Sequence, residues 1–457
     1  MAQERLLHSK LMISTSGIRG IVGAGLDPVM ITRYAAAFGV FLGKGKVVVG
    51  RDTRPSGEIY RMAVIAGLRA VGLDVIDIGI VPTPTVEISV KSLRAVGGIC
   101  ITASHNGSEW NALKFFDRNG EFIDKRALQK IKQIYASDKI PFSNHKELGK
   151  LLIDNSWNER HINHVLALKI IDKNKIKRAK LKVVVDAVNG AGSYILPKLL
   201  ERMGVKVIRI NCEGNGNFVH RPEPIPENLK MLCNAVKKHK ADLGMACDPD
   251  ADRLALVDEN GKAIGEELTL ALAVKYVLSK KKGTVAVNLS TSRVTESVAD
   301  EFNCRTFYAP VGEANVIAGM KKYKAIIGGE GNGGVIYPKF HYGRDALVGA
   351  AIILGLLART GQSLSGIMGT LPIFHNIKLK ESLPEKFEAR LSKVEKAARK
   401  SFDNLKIDRR DGVRFDFSRG WFQIRKSNTE PIYRLIVETD SEELTGIIKN
   451  EVMKFLK

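Results

Sequence analysis

The sequence predicts an α/β protein, with three tandem α/β domains that have mainly parallel mixed sheets, followed by a smaller C-terminal α+β domain. Three observations lead to this prediction. At 457 residues the chain is too long for a single hydrophobic core, which rarely exceeds about 250–300 residues. Its 44% hydrophobic and 26% charged residues are typical of globular proteins. The same pattern of strand-like and helix-like segments also occurs three times along the chain.

Each copy of the repeat contains three short apolar runs that are bounded by turn-forming residues. Such runs are typical of buried strands. Because helical stretches separate them, they predict βαβ units and a mainly parallel sheet in every copy. The first runs cover residues 46–52, 182–188 and 283–289, the second runs 72–78, 204–210 and 303–308, and the third runs 97–102, 241–246 and 323–328.

The domain boundaries follow from this repeat and from the change of pattern after about residue 370. An uninterrupted apolar run at 346–358 predicts a buried helix near the end of the third copy. Beyond it, a charged amphipathic helix at 385–400 precedes short alternating runs typical of strands. The predicted α/β domains cover residues 1–153, 154–256 and 257–370, and the predicted α+β domain covers residues 371–457.

The charge balance indicates an anionic partner, because the formal net charge is +22. Nucleic acid is not favoured, since the densest basic run, at 169–182, has no aromatic residues interleaved for base stacking. A membrane-spanning segment is not indicated, because the longest apolar run, at 346–358, is too short to span a hydrocarbon core of about 30 Å. Net charge alone does not choose among nucleic acid, a membrane surface and a phosphorylated metabolite. The N-terminal residues show no secretory pattern, which predicts a cytoplasmic location.

The motif that points most directly to chemistry contains Asp248, Asp250 and Asp252. This spacing places three carboxylates on one side of an extended or looped segment, where they need a counter-charge. Oxygen ligands favour Mg²⁺ over zinc, and the five cysteines form no C-x-x-C pair. An EF-hand calcium loop fails because Arg253 stands where the sharp turn requires glycine. An aspartyl-phosphate nucleophile and a solvated acidic turn stay open from these residues alone.

The equivalent loop of the first copy, Thr-Ala-Ser-His-Asn, contains Ser104 and His105. Taken alone it is a structural turn, because these residue types hydrogen-bond their own backbone. However, α/β sheets place ligands outside the carboxyl ends of their strands, and this loop has the same position in its copy as the aspartates in theirs. That equivalence favours a serine nucleophile that accepts a phosphoryl group beside a metal.

Two later loops are candidate binding sites, each with a purely structural alternative. The glycine-rich segment at 328–334 carries Glu330 and Asn332, a carboxylate and an amide that could bind neighbouring sugar hydroxyls. The alternative is that the segment is only a structural turn. The segment at 425–429 begins with Arg425 and offers a cation, two hydroxyls, an amide and turn-forming N–H groups. It suits a phosphate group or forms a hairpin turn.

Together these four loops resemble the signature motifs of the α-D-phosphohexomutase family, which includes phosphoglucomutase, phosphomannomutase and phosphoglucosamine mutase. Two further segments, Ser14-Thr-Ser-Gly-Ile-Arg-Gly20 and Gly50-Arg-Asp-Thr-Arg-Pro55, are similar to the amino-terminal signatures of that family. The resemblance covers the whole chain and is greatest to the archaeal phosphoglucosamine mutase branch. It implies four domains around one central cleft, the fourth being a small lid-like module.

The resemblance implies an isomerase that interconverts a hexose 6-phosphate and its 1-phosphate through a sugar bisphosphate. Ser104 is then the phosphoserine, and Asp248, Asp250 and Asp252 hold Mg²⁺ together with an oxygen of its phosphate. The serine donates its phosphoryl group, the bisphosphate turns end for end, and the serine takes back the other phosphate. A sugar 1,6-bisphosphate is implied as activator, because an unphosphorylated serine has nothing to donate.

The remaining site residues are implied in the same way. Arg19, Lys114 and Arg253 are the cations around the transferred group, and His105 orients the phosphate or relays a proton. Sugar hydroxyls are held by Glu330 and Asn332, and the phosphate that is not transferred is held by Arg425, Ser427, Asn428 and Thr429.

Several alternatives stay open. Glucosamine phosphate is the expected substrate, with glucose or mannose phosphates as additional or alternative ones, since a single hydroxyl changes preference only about 10–200-fold unless it is hydrogen-bonded. A magnesium-dependent sugar-phosphate phosphatase would use the same ligands if water attacked the phosphoserine. A polyanion binder that uses the net charge of +22 is the non-enzymatic alternative. The chain is either a monomer or a homodimer.

Overall fold

The strands of this chain form four sheets, one after another, in a computed structural model that describes residues 11–137, 139–426 and 432–456. The first three sheets are mixed and the fourth is antiparallel. The predicted fold class, three α/β domains followed by a smaller C-terminal domain, is confirmed. The boundaries proposed for these domains stay a prediction.

The first sheet has seven strands. They are β1 (Met12–Ser14), β2 (Gly17–Ile21), β3 (Lys46–Arg51), β4 (Asp74–Ile80), β5 (Gly97–Ile101), β6 (Trp110–Phe116) and β7 (Leu151–Ile153). Their order is β1-β2-β6-β5-β3-β4-β7, with β3 parallel to β4 and β5, and with β6 antiparallel to β5. The associated helices are α1 (Pro28–Leu42), α2 (Ser56–Ala70), α3 (Thr83–Ser92) and α4 (Lys125–Ala136).

The second sheet has four strands and repeats the centre of the first. Its strands are β8 (Lys182–Asp186), β9 (Lys206–Ile210), β10 (Leu243–Cys247) and β11 (Leu254–Val257). Their order is β11-β10-β8-β9, with β8, β9 and β10 parallel and β11 antiparallel. Its helices are α5 (Trp157–Leu166), α6 (Lys173–Ala179), α7 (Gly192–Arg202) and α8 (Lys230–His239), and a 3₁₀ turn covers Pro226–Asn228.

The third sheet has the same topology as the second. Its strands are β12 (Val285–Asn288), β13 (Thr306–Ala309), β14 (Ile327–Glu330) and β15 (Gly334–Ile336), in the order β13-β12-β14-β15. Its helices are α9 (Glu266–Lys280), α10 (Arg293–Glu301), α11 (Glu313–Tyr323), α12 (Ala346–Thr360) and α13 (Leu364–Met368). The repeat in the sequence is therefore a repeat of topology, and β5, β10 and β14 end at equivalent places.

The fourth sheet is antiparallel throughout and packs against two helices. Its strands are β16 (His375–Ser382), β17 (Lys406–Asp408), β18 (Val413–Phe417), β19 (Gly420–Lys426) and β20 (Ile432–Thr439), in the order β16-β20-β19-β18-β17. Its helices are α14 (Phe387–Ser401) and α15 (Glu442–Leu456). This sheet contacts loops of the third: Ser290 Oγ donates to Gln423 Oε1 at 2.6 Å, and the Val311 N–H donates to Asp411 Oδ2 at 3.0 Å.

The hydrophobic core of the second sheet is continuous with that of the third, whereas the first and fourth sheets have clusters of their own. The predicted buried helix at 346–358 is confirmed as α12, which lies inside the shared core with every residue from Ala346 to Leu357 buried. Within the described ranges, no helix has the length and apolarity needed to cross a membrane.

Six of the nine predicted strand runs begin two to four residues later than the sequence pattern suggested, and two of these shifts show the local cause. The run at 72–78 becomes β4 two residues later, because Gly72 has a φ of 84° and belongs to the turn after α2. The run at 323–328 becomes β14 at Ile327, because Tyr323 still ends α11 and Lys324 caps it with a left-handed φ of 50°. The sequence pattern also missed β7, which pairs with β4 in parallel.

Candidate active site

The aspartate motif forms a compact acidic cluster at the carboxyl end of β10. Asp248, Asp250 and Asp252 are buried, and one carboxylate oxygen from each lies within 4.8 Å of the other two. Ala251, with a left-handed φ of 49°, turns the chain between the last two aspartates. The backbone N–H groups of Asp252 and Arg253 both donate to Asp248 Oδ1 at 3.2 Å and fix the turn. The cluster could hold a metal ion.

In two of these carboxylates one oxygen is anchored and the other is free. Asp250 Oδ2 accepts hydrogen bonds from Lys114 Nζ, at 2.5 Å, and from the hydroxyl of Thr83. Asp252 Oδ2 accepts one from Arg344 Nη2 at 2.6 Å. The Oδ1 atoms of both are buried without a hydrogen-bond partner among the described residues. Because an unpaired buried oxygen is costly and a hard cation satisfies it, this donor set fits Mg²⁺.

The electrostatics of the cluster also favour a cation. Burial, together with the charges of Asp252 and Asp250, raises the pKa of Asp248 well above its ordinary value. Burial acts in the same direction on the pKa of Asp250, but Lys114 outweighs it and the net shift is downward. Burial and two acidic neighbours thus disfavour the charged form of Asp248, and a divalent cation would stabilise it.

Ser104 lies directly opposite this cluster, in the loop after β5. Its Oγ donates to Asp248 Oδ2 at 2.9 Å, so the structure brings the predicted nucleophile and the predicted metal ligands together. The residue is 3% exposed. Its φ of 51° lies in the left-handed region, which non-glycine residues adopt where the surroundings impose it.

Arg54, which forms a buried ion pair with Asp52, holds the serine loop in this position. Arg54 Nε donates to Asp52 Oδ2 at 2.9 Å, and Thr102 Oγ1 donates to the same oxygen at 2.6 Å. Arg54 Nη2 donates to the main-chain carbonyl oxygens of Ser104, at 2.6 Å, and of Asn106, at 2.7 Å. Neither Asp52 nor Arg54 is among the site residues predicted from the sequence. The sequence feature that could have indicated this role is an Asp-x-Arg pair of opposite charges at the end of a buried strand.

Two of the three predicted cations are already bonded at the site. Lys114, on β6, has its Nζ 2.5 Å from Asp250 Oδ2 and 3.5 Å from Asp252 Oδ2. Burial lowers the pKa of Lys114, but the two aspartates outweigh it and the net shift is upward. Arg19, on β2, donates from Nη1 to Asn106 Oδ1 at 2.5 Å. Burial lowers the pKa of Arg19 to about 10, so the guanidinium remains charged at neutral pH.

The third predicted cation, Arg253, is placed for an anion. Its Nε lies 4.0 Å from Asp248 Oδ2 and 3.9 Å from Asp252 Oδ1, too far for hydrogen bonds, and this buried atom has no hydrogen-bond partner among the described residues. Its Nη1 is 3.6 Å from Glu223 Oε1. An anionic group that enters the site would satisfy this guanidinium.

His105 lies beside the serine hydroxyl. Its Nδ1 is 3.4 Å from Ser104 Oγ, and its Nε2 is 3.9 Å from Glu223 Oε1. Burial, followed by the charges of Arg253 and Arg19, holds the pKa of His105 well below its ordinary value. The imidazole is therefore neutral at pH 7 and able to accept a proton.

The glycine-rich loop places Glu330 at the end of β14, where both of its oxygens have protein partners. Oε1 accepts hydrogen bonds from Asn288 Nδ2 at 2.9 Å and from the Gly312 N–H at 3.1 Å, and Oε2 lies 3.3 Å from Arg344 Nη1. Asn332 is half-buried and accepts a hydrogen bond from the Gly334 N–H at 3.2 Å. A sugar hydroxyl would therefore share Glu330 with groups that already hold it.

Arg425 lies near the end of β19. Burial lowers its pKa, Asp411 and Glu330 act as nearby negative charges, and its Nε is buried without a partner among the described residues. The other residues predicted to bind the distal phosphate, Ser427, Asn428 and Thr429, lie outside the described residues.

A buried ionisable network, not anticipated from the sequence, lies behind the site. Asp345 Oδ2 accepts hydrogen bonds from His161 Nε2 and from His341 Nε2, both at 3.0 Å. His341 Nδ1 lies 3.3 Å from Glu87 Oε2. The other oxygen of Asp345 caps α12. These four side chains join α3, α5 and the segment before α12.

This network predicts that alkaline pH destabilises the fold. Burial raises the pKa of Glu87 to about 8. Burial lowers the pKa of His341, but the carboxylates of Asp345 and Glu87 outweigh it and raise it to about 9. Both values exceed those of the unfolded chain, about 4.3 for Glu and 6.5 for His, so the folded state binds more protons and loses stability as pH rises through about 8 and 9.

We therefore expect the thermal unfolding midpoint to fall between pH 7 and 9.5. His341→Gln should lower the midpoint at pH 7 and flatten its decline. The matched control, His145→Gln, changes an exposed histidine and should preserve the wild-type profile. A wild-type midpoint that rises over this range would contradict the assignment.

Fold and site together define an enzyme in which successive α/β units bring a serine hydroxyl, an acidic cluster that could hold a metal and a glycine-rich loop together. Models of the phosphoglucomutase/phosphomannomutase family match the chain in order: α/β/α domain I at residues 10–141, domain II at 159–261, domain III at 265–373 and the C-terminal domain at 376–455. The chain belongs to this family and is an isomerase of the phosphohexomutase type, as the resemblance predicted.

Similar proteins cover nearly its full length. A probable phosphoglucosamine mutase from Methanopyrus kandleri is 37% identical over 446 residues, 97% of each chain. A phosphoglucomutase/phosphomannomutase from Thermococcus kodakarensis is 37% identical over 440 residues, 94% of this chain and 95% of the relative. Among solved structures, a phosphoglucomutase/phosphomannomutase family protein from Burkholderia thailandensis has a TM-score of 0.84 at 27% identity and covers 98% of both chains.

Proposed function

We propose that the chain interconverts the 6-phosphate and 1-phosphate of glucosamine, with glucose and mannose phosphates as alternatives, through phospho-Ser104 and a sugar bisphosphate. The observation that carries the proposal is the 2.9 Å hydrogen bond from Ser104 Oγ to Asp248 Oδ2. It places a hydroxyl beside an acidic cluster in which two carboxylate oxygens have no hydrogen-bond partner from residues 11–137, 139–426 and 432–456. The name of the Methanopyrus kandleri relative supports glucosamine phosphate, and that of the Thermococcus kodakarensis relative supports the alternatives.

In the first half-reaction the phosphoryl group moves from Ser104 Oγ to a sugar hydroxyl. The bond from phosphorus to the serine oxygen breaks, the bond to the sugar oxygen forms, the sugar hydroxyl loses a proton and Ser104 Oγ gains one. His105 Nδ1, 3.4 Å from Oγ and neutral, is placed to relay a proton there. The bisphosphate then turns end for end, and the same steps run in reverse.

Charge neutralisation is the main task of the surrounding groups, because phosphoryl transfer depends on positioning and electrostatics. Arg19, Lys114 and Arg253 supply fixed positive charge beside Ser104. Mg²⁺ supplies further positive charge for the phosphoryl oxygens, and the residues that would hold it are Asp248, Asp250 and Asp252.

The rest of the substrate is assigned to the later loops. Glu330 and Asn332 face the sugar hydroxyls in this proposal, and Arg425 begins the loop for the phosphate that is not transferred. We further propose a sugar 1,6-bisphosphate as activator and a cytoplasmic location, with no nucleic-acid or membrane partner. The four residues proposed to hold the phosphate that is not transferred are Arg425, Ser427, Asn428 and Thr429.

The test is a magnesium-dependent assay of the unphosphorylated enzyme with a trace of glucose 1,6-bisphosphate. Glucosamine, glucose and mannose 1-phosphates are offered separately, while the 6-phosphate and free phosphate are followed together. We expect isomerisation without release of phosphate, fastest with glucosamine, and little activity when the bisphosphate or Mg²⁺ is withheld. Phosphate release without isomer would favour a phosphatase, and the highest rate with mannose or glucose would reassign the sugar.

A further inference from the structure

Arg344, which follows β15 and precedes α12, forms a buried junction between the aspartate cluster and the glycine-rich loop. The residue is 8% exposed, and its guanidinium contacts three carboxylates. Nη2 donates to Asp252 Oδ2 at 2.6 Å, Nε donates to Glu313 Oε2 at 3.0 Å, and Nη1 lies 3.3 Å from Glu330 Oε2. Each nitrogen of the guanidinium group thus contacts a different segment of the chain.

The path of the side chain is fixed at both ends. The backbone N–H of Arg344 donates to the other oxygen of Glu313 at 2.9 Å, so Glu313 grips the residue twice. The stem crosses Gly334, where an added Cβ would lie only 2.2 Å from Arg344 Cδ. Any side chain at position 334 would clash with Arg344 and displace it from this position.

The contact with Asp252 orients the carboxylate for a metal. With Oδ2 held by Arg344, Oδ1 is buried inside the acidic cluster and has no hydrogen-bond partner within the described part of the chain. Lys114 does the same for Asp250, by holding its Oδ2. The metal loop therefore has one anchor from the first sheet and one from the segment after the third.

We propose that Arg344 is a positioning residue that fixes the metal-binding loop and the sugar-binding loop relative to each other. It does so by holding Asp252 in the first loop and Glu330 in the second. This rests on the proposed function for the roles of those two residues. The positive charge alone does not fix the two loops. A lysine has a single nitrogen and no planar guanidinium, so its donors diverge from one point and cannot occupy the three separate positions that hold these carboxylates.

Arg344→Lys is the variant that tests geometry, because it conserves charge. Calorimetric titration of the unphosphorylated protein with Mn²⁺ alone should show binding weakened roughly 10–100-fold, as is usual when a group that orients a metal ligand is lost. At saturating Mg²⁺, the KM for glucosamine 1-phosphate should rise about tenfold or more, with a smaller change in kcat. Arg359→Lys, at the exposed end of α12, is the matched control and should bind and turn over like wild type.

Two further variants keep the outcome clear. Glu313→Gln loosens the grip on Arg344 without touching either loop, and should shift Mn²⁺ affinity and KM in the same direction but less. Arg344→Met removes the charge as well. If Arg344→Lys equals wild type in both measurements and only Arg344→Met is impaired, charge alone matters and the positioning role is wrong.

Binding of Mn²⁺ needs no turnover, so the two proposals fail separately. Absence of isomerisation by the wild type would overturn the proposed function, while weaker Mn²⁺ binding by Arg344→Lys would still support the anchor on Asp252. A lowered thermal midpoint in Arg344→Lys with unchanged Mn²⁺ affinity and KM would overturn the positioning role in favour of a purely structural one.

Discussion

Replacing Ser104 with alanine will abolish isomerisation and phosphoenzyme formation together, with kcat lowered by about four orders of magnitude or more, as is usual when a catalytic nucleophile is removed. Alanine keeps the Cβ, so the left-handed backbone at φ 51° is no more strained than before. Lys114 and Arg344 anchor Asp250 and Asp252, and two backbone N–H groups hold Asp248 Oδ1, so the acidic cluster keeps its geometry when the serine hydroxyl is lost. The variant therefore removes the phosphoryl acceptor and leaves the metal site in place.

Ser108→Ala is the matched control, since Ser108 is exposed in the same loop. Intact protein mass is measured after incubation with glucose 1,6-bisphosphate, and isomerisation is assayed in parallel. Wild type and Ser108→Ala should gain one phosphoryl group, whereas Ser104→Ala should gain none and should still bind Mn²⁺. Isomerisation by Ser104→Ala above about 1% of the wild-type rate would place the transferred phosphate on another residue.

The loops that carry Ser104 and the aspartates could be predicted because their position follows from local pattern. Apolar runs fix the strands, the repeat makes β5 and β10 equivalent, and parallel sheets bring the carboxyl ends of their strands to one edge. What the sequence could not supply was the distance between the two loops, since 144 residues separate Ser104 from Asp248. That contact depends on how one sheet docks on the next.

The residues that support the site were missed for the same reason. Arg54 acts on carbonyl groups about 50 residues away, and Arg344 acts on Asp252 from 92 residues away. A buried arginine and an exposed one look alike in a hydropathy pattern. The network of His341 and Glu87 also needs three elements to be docked before either side chain has a partner. Signature motifs therefore located the loops that bring Ser104 and the aspartate cluster together, whereas packing between sheets decides what positions them.

Replacing Arg54 with methionine will lower the free energy of unfolding by about 3–5 kcal/mol, because losing one partner of a buried ion pair leaves the other charge uncompensated. Arg54 and Asp52 are both 0% exposed, and burial already raises the pKa of Asp52. The carbonyl groups of Ser104 and Asn106 also lose their donor. Because the serine loop then loses its support, kcat should fall about a hundredfold.

Urea unfolding followed by tryptophan fluorescence measures the stability, and Arg118→Met is the control. Arg118 is exposed in the turn after β6, so its replacement should cost less than about 0.5 kcal/mol. Loss of less than about 1 kcal/mol in Arg54→Met would contradict the account of the ion pair.

A double-mutant cycle of Arg54→Met and Asp52→Asn separates the two roles of Arg54, which are to pair with Asp52 and to hold the loop carbonyl groups. In the double variant no charge is left unpaired, so its loss of stability should be smaller than the combined losses of the single variants by at least about 1 kcal/mol. Asp52→Asn alone leaves Arg54 bonded to the loop carbonyl groups and should keep most activity, whereas Arg54→Met should lose both stability and activity. Equal loss of activity in the two single variants would show that the ion pair, rather than the contacts with the carbonyl groups, positions Ser104.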